Sequence, residues 1–121
     1  MTPANASSGR GPVLRVVSSG RFSERWIRRF DEAFDFRHYE WDGTQPLDAP
    51  DELVARMAGC QVFITEADQV TREVIERSPE LAVIIDTRAA PINIDVEAAS
   101  EHGVVIMNTP ARNAEAVGDL T

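Results

Sequence analysis

Apolar positions along the chain fall into short runs separated by polar stretches, and the runs alternate between strand-like and helix-like spacing. Residues 13–18 are valine-rich and end in Ser18-Ser19-Gly20, which predicts a strand followed by a loop. Ser23 then stands as the N-cap of a helix whose Trp26, Ile27, Phe30 and Ala33 share one face, a stripe that predicts core packing. Residues 34–41 alternate, with Phe34, Phe36, Tyr39 and Trp41 among charged neighbours. That pattern predicts an edge strand with His38 on its surface. After a polar loop from Asp42-Gly43 to Asp48, Pro50 suits the first turn of a helix burying Leu53, Val54, Met57 and Ala58 and stopping at Gly59.

Residues 61–65 predict a third strand, with Thr65-Glu66-Ala67-Asp68 as its exit loop. Thr71 or Asp68 caps a short helix through Arg77, closed by Ser78-Pro79. Residues 81–85 are continuously apolar, too short for a helix and β-branched enough for a fully buried parallel strand. Asp86, Thr87 and Arg88 follow it. Asp95 is an N-cap for a helix over 96–102, Gly103 supplies its left-handed stop, and residues 104–107 form a last buried strand. Strands alternating with helices imply a parallel sheet covered on both faces. The expected fold is α/β: a flavodoxin-like, doubly wound, five-stranded parallel sheet in the order 2-1-3-4-5, in three layers α/β/α. Residues 1–12, rich in Ser, Gly, Ala and Pro, read as a disordered lead to a domain over 13–107.

Composition narrows the chemistry. The 121 residues carry a formal net charge of −8, which argues against nucleic acid as a partner. All twelve basic residues are arginine, so this chain offers no Schiff-base or phosphate-loop lysine. The single cysteine, Cys60, has no disulfide partner in the chain and reads as a small buried hydrophobe. No run reaches membrane-spanning length and no signal-peptide core precedes the first strand, so a cytoplasmic location is expected. No metal-ligand spacing and no GxGxxG fingerprint occur. His102, in a last helical turn, reads as a C-terminal capping residue rather than a base.

Ligands of such sheets sit at the strand carboxyl ends. Three loops converge there: Ser18-Ser19-Gly20-Arg21, Thr65-Glu66-Ala67-Asp68 and Asp86-Thr87-Arg88-Ala89-Ala90. In the last, Arg88 could fork onto a carboxylate or phosphate, with the Ala89 and Ala90 amides as further donors. The competing structural role for Arg88 is pairing with Asp86 or Glu66.

Residues 81–117 also carry a family pattern: Asn93-Ile94-Asp95 with Glu97-Ala98-Ala99, His102-Gly103-Val104, and Asn108-Thr109-Pro110 with Arg112-Asn113-Ala114-Glu115-Ala116-Val117. The chain resembles the D-isomer-specific 2-hydroxyacid dehydrogenases, in their phosphoglycerate-dehydrogenase-like branch. The resemblance implies an N-terminal substrate-binding domain, with residues 108–121 as the hinge and the start of an interdomain helix leading to a Rossmann domain. The catalytic residues and glycine loop would lie in that further domain, so the chain reads as a fragment without turnover of its own. As a whole the enzyme would interconvert a 2-hydroxy acid and a 2-keto acid by hydride transfer, using NAD with NADP not excluded, as a homodimer. By position in the family, Thr65, Glu66, Arg88, Ala89 and Ala90 are implied as substrate-binding and Ala89 as cofactor-touching. Departures from the family are specific. Thr65 and Glu66 stand where an arginine-serine pair is usual, which argues against a phosphorylated acid, and Pro91 removes one N–H donor. Two competitors stay open: a free-standing flavodoxin-like module holding a flavin phosphate on residues 18–23, and a non-catalytic regulatory relative.

Overall fold

Nine elements alternate strictly between strand and helix in a computed structural model, which describes residues 14–41, 43–44, 46–88 and 92–108. They are β1 (Arg15–Gly20), α1 (Glu24–Ala33), β2 (Asp35–Glu40), α2 (Pro50–Arg56), β3 (Val62–Thr65), α3 (Arg72–Glu76), β4 (Val83–Asp86), α4 (Val96–Glu101) and β5 (Val105–Asn108). All strand pairs are parallel and the order is β2-β1-β3-β4-β5, as expected from the alternation. The expected lead over residues 1–12 and nearly all of the expected hinge, from Thr109 on, lie outside the described residues.

Local signals set the helices. The hydroxyl of Ser23 accepts the Trp26 N–H, that of Thr71 accepts the Val74 N–H, and the Asp95 carboxylate accepts the Ala98 N–H. Glu52 reaches back to the Ala49 N–H at 3.0 Å, opening α2 behind Pro50. Gly103 ends the α4 turn at φ +73°, a conformation that suits glycine.

The core lies on the face covered by α2, α3 and α4. Val17, Phe63 and Ile84 point there from neighbouring strands and meet Leu53, Met57, Val74 and Ala98. Cys60 belongs to this cluster, and burial pushes its thiol up to about 12. It is a core residue.

Four expectations need correction. β1 runs on through Ser18-Ser19-Gly20, because β2 and β3 pair with it on both sides that far. The aromatic stripe of α1 is not core: the helix buries no residue, and Trp26 is 44% exposed. β5 is a sheet edge rather than a buried strand, with Val105 and Met107 each 55% exposed. His38 is not a surface residue. Its side chain is only 10% exposed, accepting from the Ser18 hydroxyl at Nδ1 (2.6 Å) while Nε2–H donates to Glu40 (3.0 Å). Phe36 stacks on it and Phe22 meets it edge-on.

Candidate functional site

A parallel sheet gathers the carboxyl ends of its strands on one edge, and the candidate residues collect there. Thr65 closes β3 and Asp86 closes β4, and the two are register partners. The loops beyond them are tied together. The Val70 N–H donates to the Asn93 carbonyl at 2.8 Å, Asp95 N–H to the Val70 carbonyl at 2.9 Å, and the Asn93 side-chain amide to the Asp68 carbonyl at 2.8 Å. This bridging holds the exit of β3 against the segment that opens α4.

Thr65 is fully buried and its hydroxyl is committed within its own loop. It donates to Asp68 Oδ2 at 2.8 Å and accepts the Asp68 N–H at 3.1 Å. Its carbonyl takes the Thr87 N–H at 3.0 Å, locking the two loops in step. Thr65 therefore shapes the site and has no free donor to offer a ligand.

Glu66 is engaged across the loops. Its carboxylate accepts the Arg21 backbone N–H at 3.0 Å and is gripped by the Arg21 guanidinium. The Arg21 hydrogen bonds hold the Glu66 carboxyl below the usual range, and the Arg88 charge adds to this. The approach needs Gly20: at φ +143°, a Cβ there would lie 2.9 Å from the Cβ of Glu66. The sequence reading singled out Glu66 but missed its partner, because nothing local links a β1 loop to a residue 45 positions away.

Asp86 is fully buried. Its Oδ1 accepts the Arg88 backbone N–H at 3.0 Å, and its Oδ2 has no partner among the described residues. Burial raises its pKa, against the pull of that hydrogen bond and the Arg88 charge. Arg88 itself is exposed and makes no ion pair with the described residues. Of the two roles open to it, pairing with Asp86 or Glu66 is not what it does here. Ala89, Ala90 and Pro91 lie outside the described residues.

The exits of β3 and β4 thus present one neutralised pair (Arg21–Glu66), two buried carboxyl groups (Asp68 and Asp86) and one guanidinium, that of Arg88, without an ion pair among the described residues, where an anionic group could approach. A profile for the chain's family is met along nearly its whole length: residues 16–121 match the D-isomer specific 2-hydroxyacid dehydrogenase, catalytic domain. The chain belongs to this family.

Relatives agree. YoaD of Bacillus subtilis (strain 168), named as a 2-hydroxyacid dehydrogenase, is 32% identical over 110 residues, covering 88% of this chain and 32% of YoaD. A D-3-phosphoglycerate dehydrogenase of Methanocaldococcus jannaschii is 36% identical over 72 residues, 59% of this chain and 14% of that protein. The crystal structure of NAD+-bound 3-phosphoglycerate dehydrogenase from Entamoeba histolytica superposes with a TM-score of 0.65 at 21% identity, covering 89% of this chain and 36% of that one. At that identity the superposition speaks for the fold. The chain spans about a third or less of these relatives' lengths.

Two cavities among the described residues are unsuited to a dinucleotide. One cavity of about 170 Å³ is walled by Glu40, Asp48 and Asp68, and another of about 260 Å³ by Glu24, Arg28 and Asp31. Carboxylates there repel a pyrophosphate, so neither fits the cofactor. The implied cofactor-touching position, Ala89, lies outside the described residues. A flavin phosphate fares no better on residues 18–23, because Ser18 and Ser19 lie within a strand and the Ser18 hydroxyl is given to His38. His102 caps, as expected: its Nδ1 meets the Ala98 carbonyl at 2.9 Å.

Proposed function

We propose that residues 13–107 are the substrate-binding domain of an NAD-dependent oxidoreductase acting on the CH–OH group of a D-2-hydroxy acid, interconverting it with the 2-keto acid by hydride transfer. Residues 108–121 lead into the domain that holds the nucleotide and the acid–base residue, and the chain by itself has no turnover. Membership in the family and the chain's one-third share of its relatives' length support this reading. In the cell the whole protein is a cytoplasmic homodimer. NADP is the alternative cofactor.

The observation that carries the substrate side is Arg88. It stands at the carboxyl end of β4, exposed, with no ion pair among the described residues, its backbone fixed by Asp86. A planar guanidinium in that position suits two-point capture of the substrate carboxylate, and Ala89 and Ala90, next in sequence, are assigned to the same role. Glu66 and Arg21 neutralise each other, so the pair supplies no positive charge for a second anionic group, and the preferred acids carry no phosphate. Thr65 holds the loop through Asp68.

Full-length protein assayed on a panel of 2-keto acids with NADH and NADPH tests this. Arg88→Gln should lower kcat/KM by about 10- to 100-fold, the worth of a charge-assisted hydrogen bond, and Arg88→Lys should restore little because the fork is lost. Unchanged kcat/KM in Arg88→Gln removes Arg88 from the site. Absence of turnover by the unaltered protein on every acid with either cofactor overturns the oxidoreductase reading.

A further inference from the structure

A second feature of the same sheet edge lies outside that reading. A cavity of about 170 Å³ opens at the carboxyl ends of β1 and β2, walled by Ser19, Glu40, Trp41, Asp48, Arg56 and Asp68 among others. It adjoins the point where the strand order reverses, between β1 and β3, where doubly wound sheets take their ligands. Neither Arg88 nor Glu66 lines it.

Its charges do not balance. Two carboxylates, Asp48 and Asp68, meet one guanidinium, and that guanidinium is already used: Arg56 Nε lies 3.3 Å from Asp48 Oδ2, and its head lies 4.7 Å over the Tyr39 ring. Glu40 is engaged by His38. Asp68 is 5% exposed; Thr65 satisfies its Oδ2, and its Oδ1 has no partner among the described residues. Burial pushes the Asp48 carboxyl up, Arg56 draws it down, and the Asp68 charge pushes it up again.

Ser19 points the same way without being acidic. It is 6% exposed and lines the cavity, and its hydroxyl has no hydrogen-bond partner among the described residues. Alternation along β1 explains the contrast with its neighbour. Ser18 turns to one face and gives its hydroxyl to His38, whereas Ser19 turns to the other and meets the cavity. Both residues are more than nine-tenths buried, and the Ser19 hydroxyl and Asp68 Oδ1 are left facing the cavity, where a ligand rich in N–H donors would meet both. No group of three ligating side chains among the described residues is placed to hold a metal ion. Trp41 adds an aromatic wall of the kind that attracts organic cations.

We propose that this cavity is a binding subsite for an organic cation, a primary ammonium or a guanidinium, that donates to Asp68 Oδ1, Asp48 and the Ser19 hydroxyl. Cation binding here needs no hydride transfer. Two sources would bring the same cation: a free amine, or the tail of a basic acid whose carboxylate lies nearer Arg88.

Calorimetric titration of the full-length protein with n-butylammonium, n-butylguanidinium and butyrate tests it. Saturable binding of the two cations below about 10 mM, undisplaced by butyrate, is expected. Asp68→Asn and Asp48→Asn should each weaken the cations by about tenfold or more. Ser19→Ala should weaken them a few-fold, and Glu97→Gln on α4 should leave them unchanged. Asp68 also accepts from Thr65, so Asp48→Asn and Ser19→Ala carry the test if Asp68→Asn fails to fold. 5-Guanidino-2-oxopentanoate binding about tenfold tighter than n-butylguanidinium identifies the cation as an acid's tail, and equal affinity identifies a free amine. No saturable cation binding, equal binding in all variants, or competition by butyrate overturns the proposal.

Discussion

The two faces of the sheet are built from similar residues and end in different states. On one, Val17, Phe63 and Ile84 are at most 3% exposed beneath α2, α3 and α4. On the other, α1 stands apart from those three helices, buries none of its residues, and leaves Val105 and Met107 of β5 each 55% exposed. The cause is topological. Right-handed crossovers that step from β2 back across β1 and then outward place three helices on one side, while the single step from β1 to β2 places α1 on the other. Apolar periodicity says that a face is greasy. It does not say that enough neighbours exist to cover it.

The largest expected effect tests that contrast directly. Phe63→Ala, in the fully buried centre, should cost about 3–5 kcal/mol in a urea titration. Trp26→Ala on α1 should cost less than about 1 kcal/mol, because that ring stays 44% exposed. Equal losses would mean that α1 packs as a true core helix in solution.

Next in size is Gly20→Ala. The strained φ and the close Glu66 Cβ predict a loss of about 1–3 kcal/mol, with the Arg21–Glu66 pair displaced. An unchanged thermal midpoint would show that the two loops are not held together there.

Asp86→Asn acts on the well-packed side and sharpens the comparison through pH. Burial raises the Asp86 pKa, so the ionised group costs the fold stability at neutral pH, and the cost fades as pH falls through that raised value toward 3.8. The variant should gain about 1 kcal/mol at pH 7 and nothing near pH 4. A gain independent of pH would assign the effect to something other than charge.

Glu66→Gln should matter least to stability, below about 1 kcal/mol, since its partner Arg21 is largely exposed. Here the sign reverses. The Glu66 pKa is lowered, so its stabilisation is present above the ordinary carboxylate range and lost as pH falls through the folded value. Acid titration of wild type and variant should converge at low pH. Divergence there would contradict the pair.

The sequence by itself determined the strand–helix alternation, the strand order it implies, the capping residues Ser23, Thr71 and Asp95, and the burial of Cys60. These follow from local periodicity and from turn and cap chemistry, which act within a few residues. It also carried the family signature in residues 81–117. Tertiary structure alone decided the rest: that Ser18 and Ser19 face opposite sides of β1, that His38 sits inside an aromatic and hydroxyl cage, and that Arg21 holds Glu66 while Arg88 makes no ion pair among the described residues. Each of these depends on which strands become neighbours, and contacts between residues 20 to 45 positions apart leave no spacing in the chain to read.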